Sequence, residues 1–307
     1  MNEFEIIEKI LTPLARGAKE ALGLKDDAAI IAPKPGYDLV ITKDAIIENV
    51  HFLPNTESGL IAKKLLRVNL SDMAAMGAKP RFALIAAMLN DSCDIKWLTA
   101  FASGLKEDLD KYDVSLIGGD TTKHDGVISF SMTLIGEVPN GKAIKRSGAK
   151  AGDTIFVTGT IGDSALGLRV LREELENWRT EELVSRYNLP EPRIDIGLKL
   201  EANSAIDISD GLIADLNHIC ECSEVGAVIY IDKIPLSASA RELLNQDSSL
   251  LEVILTGGDD YELLFTSKEE TLPYATPIGK IKKEGGIDIF DKKGEKITLS
   301  RYGYTHL

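Results

Sequence analysis

The sequence predicts an α+β (α/β) protein made of two successive halves. Helix and strand patterns alternate through the first 140 residues, and they begin again after the polar, glycine-rich segment GKAIKRSGAKAGD at residues 141–153. Helical and strand patterns mixed within each half favour sheets that are covered by helices. The intervening segment has glycines and charges without apolar periodicity, so we expect domains at residues 1–140 and 141–307.

The first half contains both helical and strand patterns. Apolar residues recur at helical spacing in three ranges, namely 5–22, 58–77 and 94–111. Strands are predicted for three further ranges: DLVIT at 38–42, SLIGG at 115–119 and VISFSMTLIGEV at 127–138. The third of these strands alternates strictly and places four apolar side chains on one face: Ile128, Phe130, Met132 and Leu134.

The second half repeats this mixture. DTIFVTG at 153–159 is predicted to be a strand, and 163–188 is mostly helical. A short strand is expected to end within AIDISDGL (205–212), where Ser209 or Asp210 opens a helix over 211–223. Short strands are predicted near 226–231, 262–266, 278–281 and 287–290.

Composition excludes several classes of function. A net charge of −13 argues against nucleic acid or an anionic membrane as a partner. No apolar run reaches the roughly 18 residues that span a bilayer, and the acidic start MNEFEIIEKI is unlike a signal peptide. The 3 cysteines indicate no disulfide framework, which favours a reducing cytoplasm. The 4 histidines form no His-x-x-x-His pair, so a zinc site is not expected.

Aspartates recur at the ends of apolar stretches or beside glycine. They are Asp26, Asp27, Asp44, Asp72, Asp120, Asp207, Asp210, Asp259 and Asp260. For a single aspartate, helix capping or an Asx-turn is the ordinary explanation. Carboxylates gathered at one site repel each other unless cations compensate. Mg²⁺ takes one or two carboxylates per ion and completes its shell with water and phosphate oxygens. The pattern therefore predicts several Mg²⁺ ions that bridge the protein to a highly anionic ligand, with Asp207 and Asp210 among their ligands.

Three other sites were weighed against this interpretation. GEVPNGK at 136–142 fits the spacing of a P-loop, but Ala143 replaces the Ser or Thr that would hold magnesium, so we interpret it as a turn. A phosphorylated Asp207 would need its second aspartate two residues later, whereas Asp210 follows after three. An EF-hand loop fails because its glycine comes too early.

A set of motifs occurs in order over nearly the whole chain. It comprises GLKDDAAII, NVHF, NLSDMAAMGAKP, LIGGDTT, KRSGAKAGD, VTGTIGDSALGL, AIDISDGL, TGGDDYELLF and GYTH. Together these motifs resemble the thiamine-monophosphate kinase family, whose superfamily includes aminoimidazole ribonucleotide synthetase and selenophosphate synthetase. The resemblance implies the two-domain aminoimidazole-ribonucleotide-synthetase-like fold, each half a mixed sheet covered by helices. It also implies a homodimer formed through the first domain, and a second domain that completes the active-site cleft.

The resemblance implies ATP-dependent phosphorylation of thiamine monophosphate to thiamine diphosphate, with ATP as co-substrate and several Mg²⁺ ions. The implied metal ligands are Asp27, Thr42, Asp44, Asp72, Asp120, Asp207 and Asp210. The implied ATP contacts are Tyr112, Gly119, Asp120, Arg146 and Ser209, and the implied substrate contacts are His51, Asp259 and Tyr304. The sequence departs from the family twice. Lys43 stands where Ser or Thr precedes Asp44, and Asp259 stands where Glu is common.

This chemistry needs no general base, because the accepting phosphate is already largely dianionic at pH 7. Selenophosphate synthetase uses a nucleophilic Cys or selenocysteine near the N-terminus, whereas the first cysteine here is Cys93. Two alternatives remain open at this point: a synthetase similar to aminoimidazole ribonucleotide synthetase, and a non-catalytic Mg²⁺- or nucleotide-binding protein.

Overall fold

A computed structural model describes residues 3–175, 181–301 and 303 of the chain. The chain divides into two compact units. The N-terminal unit comprises Met1–Met73 and Ala78–Ala143, and the C-terminal unit comprises Ala74–Gly77 and Ile144–Leu307. The main division lies inside the glycine-rich segment 141–153. Both units combine sheets with helices, so the predicted α+β class is confirmed.

The N-terminal unit contains a four-stranded sheet in the order β1-β4-β2-β3. Its strands are β1 (Tyr37–Ile47), β2 (Lys79–Leu89), β3 (Ser115–Lys123) and β4 (Ser129–Pro139). β4 pairs antiparallel with both β1 and β2, whereas β2 and β3 are parallel. The predicted alternation of β4 is confirmed, because Ile128, Phe130, Met132 and Leu134 are all buried. The segment GEVPNGK ends β4 and turns, where the amide of Lys142 donates to the carbonyl of Pro139.

Two long helices belong to this part of the chain, α2 (Ser58–Ala75) and α3 (Ile95–Lys111). Both were predicted within two residues of their ends. The predicted helix at 5–22 is wrong as a single element. The chain instead forms a short α1 (Glu3–Ile6), a π-helical turn (Ile7–Leu11) and two 3-10 segments (Thr12–Ala15 and Lys19–Leu24). Pro13 removes a backbone donor, and Arg16 and Gly17 adopt positive φ, so a continuous helix cannot form.

The C-terminal unit is built on a seven-stranded sheet in the order β11-β10-β7-β9-β5-β8-β6. Its strands are β5 (Thr154–Val157), β6 (Ser204–Asp207), β7 (Gly226–Tyr230), β8 (Leu263–Ser267), β9 (Thr276–Lys282), β10 (Gly286–Phe290) and β11 (Lys296–Ile297). Its helices are α4 (Asp163–Leu171), α5 (Glu181–Asn188), α6 (Ile194–Gly197), α7 (Leu212–Ser223), α8 (Ala238–Gln246) and α9 (Leu250–Thr256). Side chains of β5, β6 and β8 pack against α7 in one buried apolar cluster.

The order of strands decides which loops can carry chemistry. β6 is an edge strand next to β8, and Asp207 at its end pairs with Leu263 at the start of β8. The turns that follow β6 and precede β8 therefore meet at one end of this sheet. Within the described ranges, no helix combines the length and apolar character that crossing a membrane requires.

Candidate active site

Three of the expected metal ligands come together in the N-terminal unit. Alternation along β1 places Thr42 and Asp44 on the face that carries the buried Val40 and Ile46. The Thr42 hydroxyl donates a hydrogen bond to the Asp72 carboxylate on α2. Burial, and then the negative charge of Asp72, raise the pKa of Asp44 to about 7. The cluster of Thr42, Asp44 and Asp72 therefore lacks a compensating positive charge, as expected of oxygen ligands that bind a cation.

Lys43 belongs to the opposite face of β1. Its side chain is exposed and lies between the inward-facing Thr42 and Asp44. A side chain at this position therefore points away from the Asp72 carboxylate. The departure from the family at Lys43 leaves the contact between Thr42 and Asp72 intact.

The other two carboxylates expected in this unit belong to β3 and to the segment before β1. The register joins Asp44 to Met132, Ile85 and Gly119 in one row across the sheet, so Gly119 is three strands and roughly 14 Å from Asp44. The next residue, Asp120, is exposed on β3, and its carboxylate accepts a hydrogen bond from the amide of Thr121 at 2.9 Å. Asp27 is exposed in a bend.

Tyr112 is separated from the other expected ATP contacts of this unit. It follows the last residue of α3, whereas Gly119 lies four residues into β3, which is roughly 13 Å along the strand. The structure therefore places Tyr112 before the start of β3, whereas Gly119 and Asp120 lie in the middle of that strand.

His51 lies in a turn that backbone and side-chain contacts fix. Its Nδ1 accepts a hydrogen bond from the amide of Ile47 at 3.1 Å. Its carbonyl oxygen accepts one from the buried ammonium of Lys64 at 2.8 Å. Because Nδ1 acts as an acceptor, the neutral ring carries its proton on Nε2. His51 is thus held as a hydrogen-bond donor.

In the C-terminal unit, the turn Ser209–Asp210–Gly211 connects β6 to α7. The Asp215 carboxylate accepts from the amides of all three turn residues, at 3.0, 3.1 and 3.1 Å. The N-cap of α7 is Gly211, at φ 122°, with no side-chain cap. The prediction that Ser209 or Asp210 caps the helix is therefore wrong, because Asp215 binds the free amides from within α7. Burial, and then the charge of Asp210, raise the pKa of Asp215 to about 7.

The sequence reading missed two residues beside this turn. Asp210, Asp215 and His218 each offer a ligand atom, and these atoms lie within 4.8 Å of one another, so the three residues could hold a metal ion. Asp215 and His218 are three residues apart on α7 and hence on one helix face. This three-residue spacing is the feature of the sequence that could have predicted Asp215 and His218 as a pair. Asp207 lies just before the turn and is buried at the end of β6.

The remaining expected contacts of this unit lie on different segments. The exposed Arg146 belongs to the segment that precedes β5, and its carbonyl accepts from the Ser223 hydroxyl at 3.2 Å. Asp259 lies in the turn before β8, where its amide donates to the carbonyl of Ser209 at 2.9 Å. The structure thus joins Asp259 to the Ser209 turn. Tyr304 lies outside the described residues.

Comparison with known proteins identifies the family. The model of the AIR synthase related protein N-terminal domain matches residues 25–138, and that of the corresponding C-terminal domain matches residues 150–292. A thiamine-monophosphate kinase of Escherichia coli (strain K12) is 41% identical over 323 residues, which cover 99% of this chain and 98% of the relative. The chain belongs to the thiamine-monophosphate kinase family.

Solved structures agree with this assignment. A thiamine-monophosphate kinase from Stenotrophomonas maltophilia K279a superimposes with a TM-score of 0.85 at 37% identity, covering 97% of this chain and 98% of that one. AaThiL complexed with AMPPCP and TMP gives a TM-score of 0.81 at 33% identity, covering 99% and 97%. The family and the two-domain fold that the motifs indicated are both confirmed.

Proposed function

We propose that this protein is a thiamine-phosphate kinase that transfers the γ-phosphoryl group of ATP to thiamine monophosphate and forms thiamine diphosphate. The observation that carries the proposal is similarity over nearly the full length to thiamine-monophosphate kinases, one of them solved with AMPPCP and TMP. This similarity includes both halves of the chain, because it covers 97–99% of the chain at 33–41% identity.

We propose Mg²⁺ as the resident metal. The donor groups are carboxylates and a hydroxyl, which suit a hard cation, and the crowding of Asp44 beside Asp72 supports this choice. The proposed ligands are Asp27, Thr42, Asp44, Asp72, Asp120, Asp207 and Asp210. When bound, Mg²⁺ supplies charge neutralisation at the phosphate oxygens.

The remaining proposed contacts divide between the two substrates. Tyr112, Gly119, Asp120, Arg146 and Ser209 are proposed to bind ATP. His51, Asp259 and Tyr304 are proposed to bind thiamine monophosphate. The accepting phosphate ionises with a pKa of about 6, so activity is expected to rise with pH through that value without a catalytic base.

The direct test is a coupled ATPase assay of the purified protein with thiamine, thiamine monophosphate and a purine-pathway substrate as acceptors. Of the three acceptors, only thiamine monophosphate is expected to support ATP turnover, and one thiamine diphosphate should form for each ATP consumed. Turnover with the purine precursor would instead support the synthetase alternative. ATP or Mg²⁺ binding without turnover would support a non-catalytic protein.

His51→Gln is expected to raise KM for thiamine monophosphate about tenfold and to change kcat by less than about threefold. The reason is that His51 is held as a donor of a charge-assisted hydrogen bond and moves no proton. Steady-state kinetics with varied acceptor measure both constants. His124→Gln is a matched control, because His124 Nδ1 also accepts from a backbone amide, that of Gly126 at 3.1 Å. A loss of kcat by several orders of magnitude would make His51 an acid–base catalyst.

We also propose a homodimer, following the family resemblance. The edge strand β1 leaves Leu39 and Ile41 41% and 62% exposed on its outward face, which supports an interface there. Sedimentation equilibrium is expected to give twice the chain mass for the natural protein and one chain mass for Ile41→Glu. Tyr274→Glu, in the C-terminal unit, is the control and should remain dimeric. A monomeric natural protein would contradict the proposal.

A reducing, cytoplasmic location is the remaining part of the proposal. Cys93, Cys220 and Cys222 are all free thiols, and Cys220 and Cys222 lie on α7. Free thiols are typical of reducing compartments.

A further inference from the structure

The turn that carries Asp259, residues 257–262, has an unusual backbone. It joins the end of α9 to the start of β8, and both Asp259 and Tyr261 adopt positive φ, 68° and 51°. Residues other than glycine rarely take this conformation, and a bulky aromatic one least of all. Such a turn persists only if its surroundings hold it.

Two buried carboxylates anchor the turn, one on each side of Tyr261. Asp260 accepts hydrogen bonds from the amides of Gly162 and Ser164 at 2.7 and 3.3 Å, where α4 begins. Glu262 accepts from Thr158, Arg186 and Arg193, each at 2.6 Å. Both carboxylates are almost completely buried, at 1% and 0% exposure. The backbone on either side of Tyr261 is therefore fixed.

The turn is also tied to the Ser209–Asp210–Gly211 turn. The amide of Asp259 donates to the carbonyl of Ser209 at 2.9 Å, and the amide of Tyr261 donates to that of Ile208 at 2.8 Å. A Cβ at Gly258 would lie 2.1 Å from the Ser209 carbonyl oxygen, so this approach requires glycine. These contacts thus fix the position of the Asp259 backbone relative to Ser209.

The Asp259 side chain is held by contacts with two tyrosines. The hydroxyl of Tyr261 donates a hydrogen bond to Asp259 Oδ1 at 3.2 Å, and Tyr261 as a whole is only 8% exposed. The Asp259 carboxylate also lies near Tyr187 on α5. Burial, and then the charge of Asp259, raise the pKa of that tyrosine well above its usual value. A rigid phenol therefore sets the direction of a carboxylate that stands on an immobile turn.

We propose that Tyr261 is a positioning residue for the acceptor, which orients the Asp259 carboxylate toward the thiazolium cation of thiamine monophosphate. The inference rests on the proposed function and adds a residue to its substrate site. A carboxylate held in its binding rotamer loses less conformational entropy when the cation arrives.

The test compares four proteins by steady-state kinetics with varied thiamine monophosphate: the natural chain, Tyr261→Phe, Asp259→Asn and the double variant. Tyr261→Phe keeps the ring and loses only the hydroxyl. It is expected to raise KM for thiamine monophosphate about three- to tenfold, with kcat, KM for ATP and the melting temperature unchanged. In the Asp259→Asn background the same change should have no further effect, because the carboxylate that it orients is gone.

The control is Tyr230→Phe, which removes a tyrosine hydroxyl from β7, where the ring lies against Phe290 and Lys233. It should leave every constant unchanged. An unchanged KM in Tyr261→Phe, additive effects in the double variant, or an equal rise in KM for ATP would overturn the positioning role while the natural protein still turns over thiamine monophosphate. A natural protein without such turnover would overturn the proposed function itself, and this inference with it.

Discussion

Asp72→Asn is expected to lower kcat/KM for thiamine monophosphate by roughly a thousandfold and to leave the fold intact. Asp72 accepts the Thr42 hydroxyl and lies beside Asp44, whose pKa it helps to raise to about 7. If these groups hold Mg²⁺, removing one carboxylate removes several kcal/mol of charge stabilisation at the phosphates, which corresponds to about that factor. Asparagine has the same shape and can still accept the Thr42 hydrogen bond, so packing around α2 is kept.

Thermal melting with and without MgCl₂ separates metal binding from a structural role. Without metal, Asp72→Asn should melt at the same temperature as the natural protein or slightly higher, because the repulsion between Asp44 and Asp72 is relieved. Addition of Mg²⁺ should raise the melting temperature of Asp72→Asn by less than it raises that of the natural protein. Asp91→Asn is the control, since that carboxylate is exposed and pairs with Lys123. Near-normal activity with a melting temperature several degrees lower would show that Asp72 acts structurally.

The sequence predicted β4 and missed its neighbour β2. β4 alternates because its face toward Phe130 and Met132 is in the core. The register of β2 shifts between Pro80 and Phe82 and between Ala83 and Leu84, so its residues KPRFALIAAML show little alternation and the sequence did not predict it. Strong periodicity also predicted α2 and α3, whereas 5–22 has helical spacing that positive φ at Arg16 and Gly17 interrupts.

The candidate site, like the fold, was predicted only in part from the sequence. The motifs named Thr42, Asp44 and Asp72, and the structure brings these three residues together, while their role as metal ligands stays a prediction. The roles of Asp215 and Tyr261 depend on contacts across turns, which no periodicity reports. Asp215 was hidden because its carboxylate binds amides four to six residues earlier, in place of a cap at Ser209 or Asp210. Tyr261 was hidden because its positive φ exists only in the folded turn.

Glu262→Gln is expected to have the largest effect on stability. Glu262 is fully buried and its two oxygens accept from Thr158, Arg186 and Arg193. Glutamine keeps one carbonyl oxygen but presents an NH₂ group to guanidinium donors, so two arginines lose their counter-charge inside the unit. Breaking a buried ion pair in this way costs about 3–5 kcal/mol. Arg186 and Arg193 keep 17% and 26% of their side-chain surface exposed, which favours the lower end of that range.

A loss of about 3 kcal/mol should lower the melting temperature of the C-terminal unit by roughly 6–12 °C, as measured by calorimetry. Glu270→Gln is the matched control, because its carboxylate pairs with Lys280 at 2.7 Å while 75% exposed, and an exposed pair contributes less than about 1 kcal/mol. High salt should reduce the difference in melting temperature between Glu270→Gln and the natural protein, because it screens an exposed ion pair. The difference in melting temperature between Glu262→Gln and the natural protein should stay nearly unchanged, since a buried pair is screened little. Equal melting temperatures for the two variants would mean that water reaches the arginines and replaces the lost carboxylate. In that case the turn carrying Asp259 would depend on Asp260 and the Ser209 carbonyl for its rigidity.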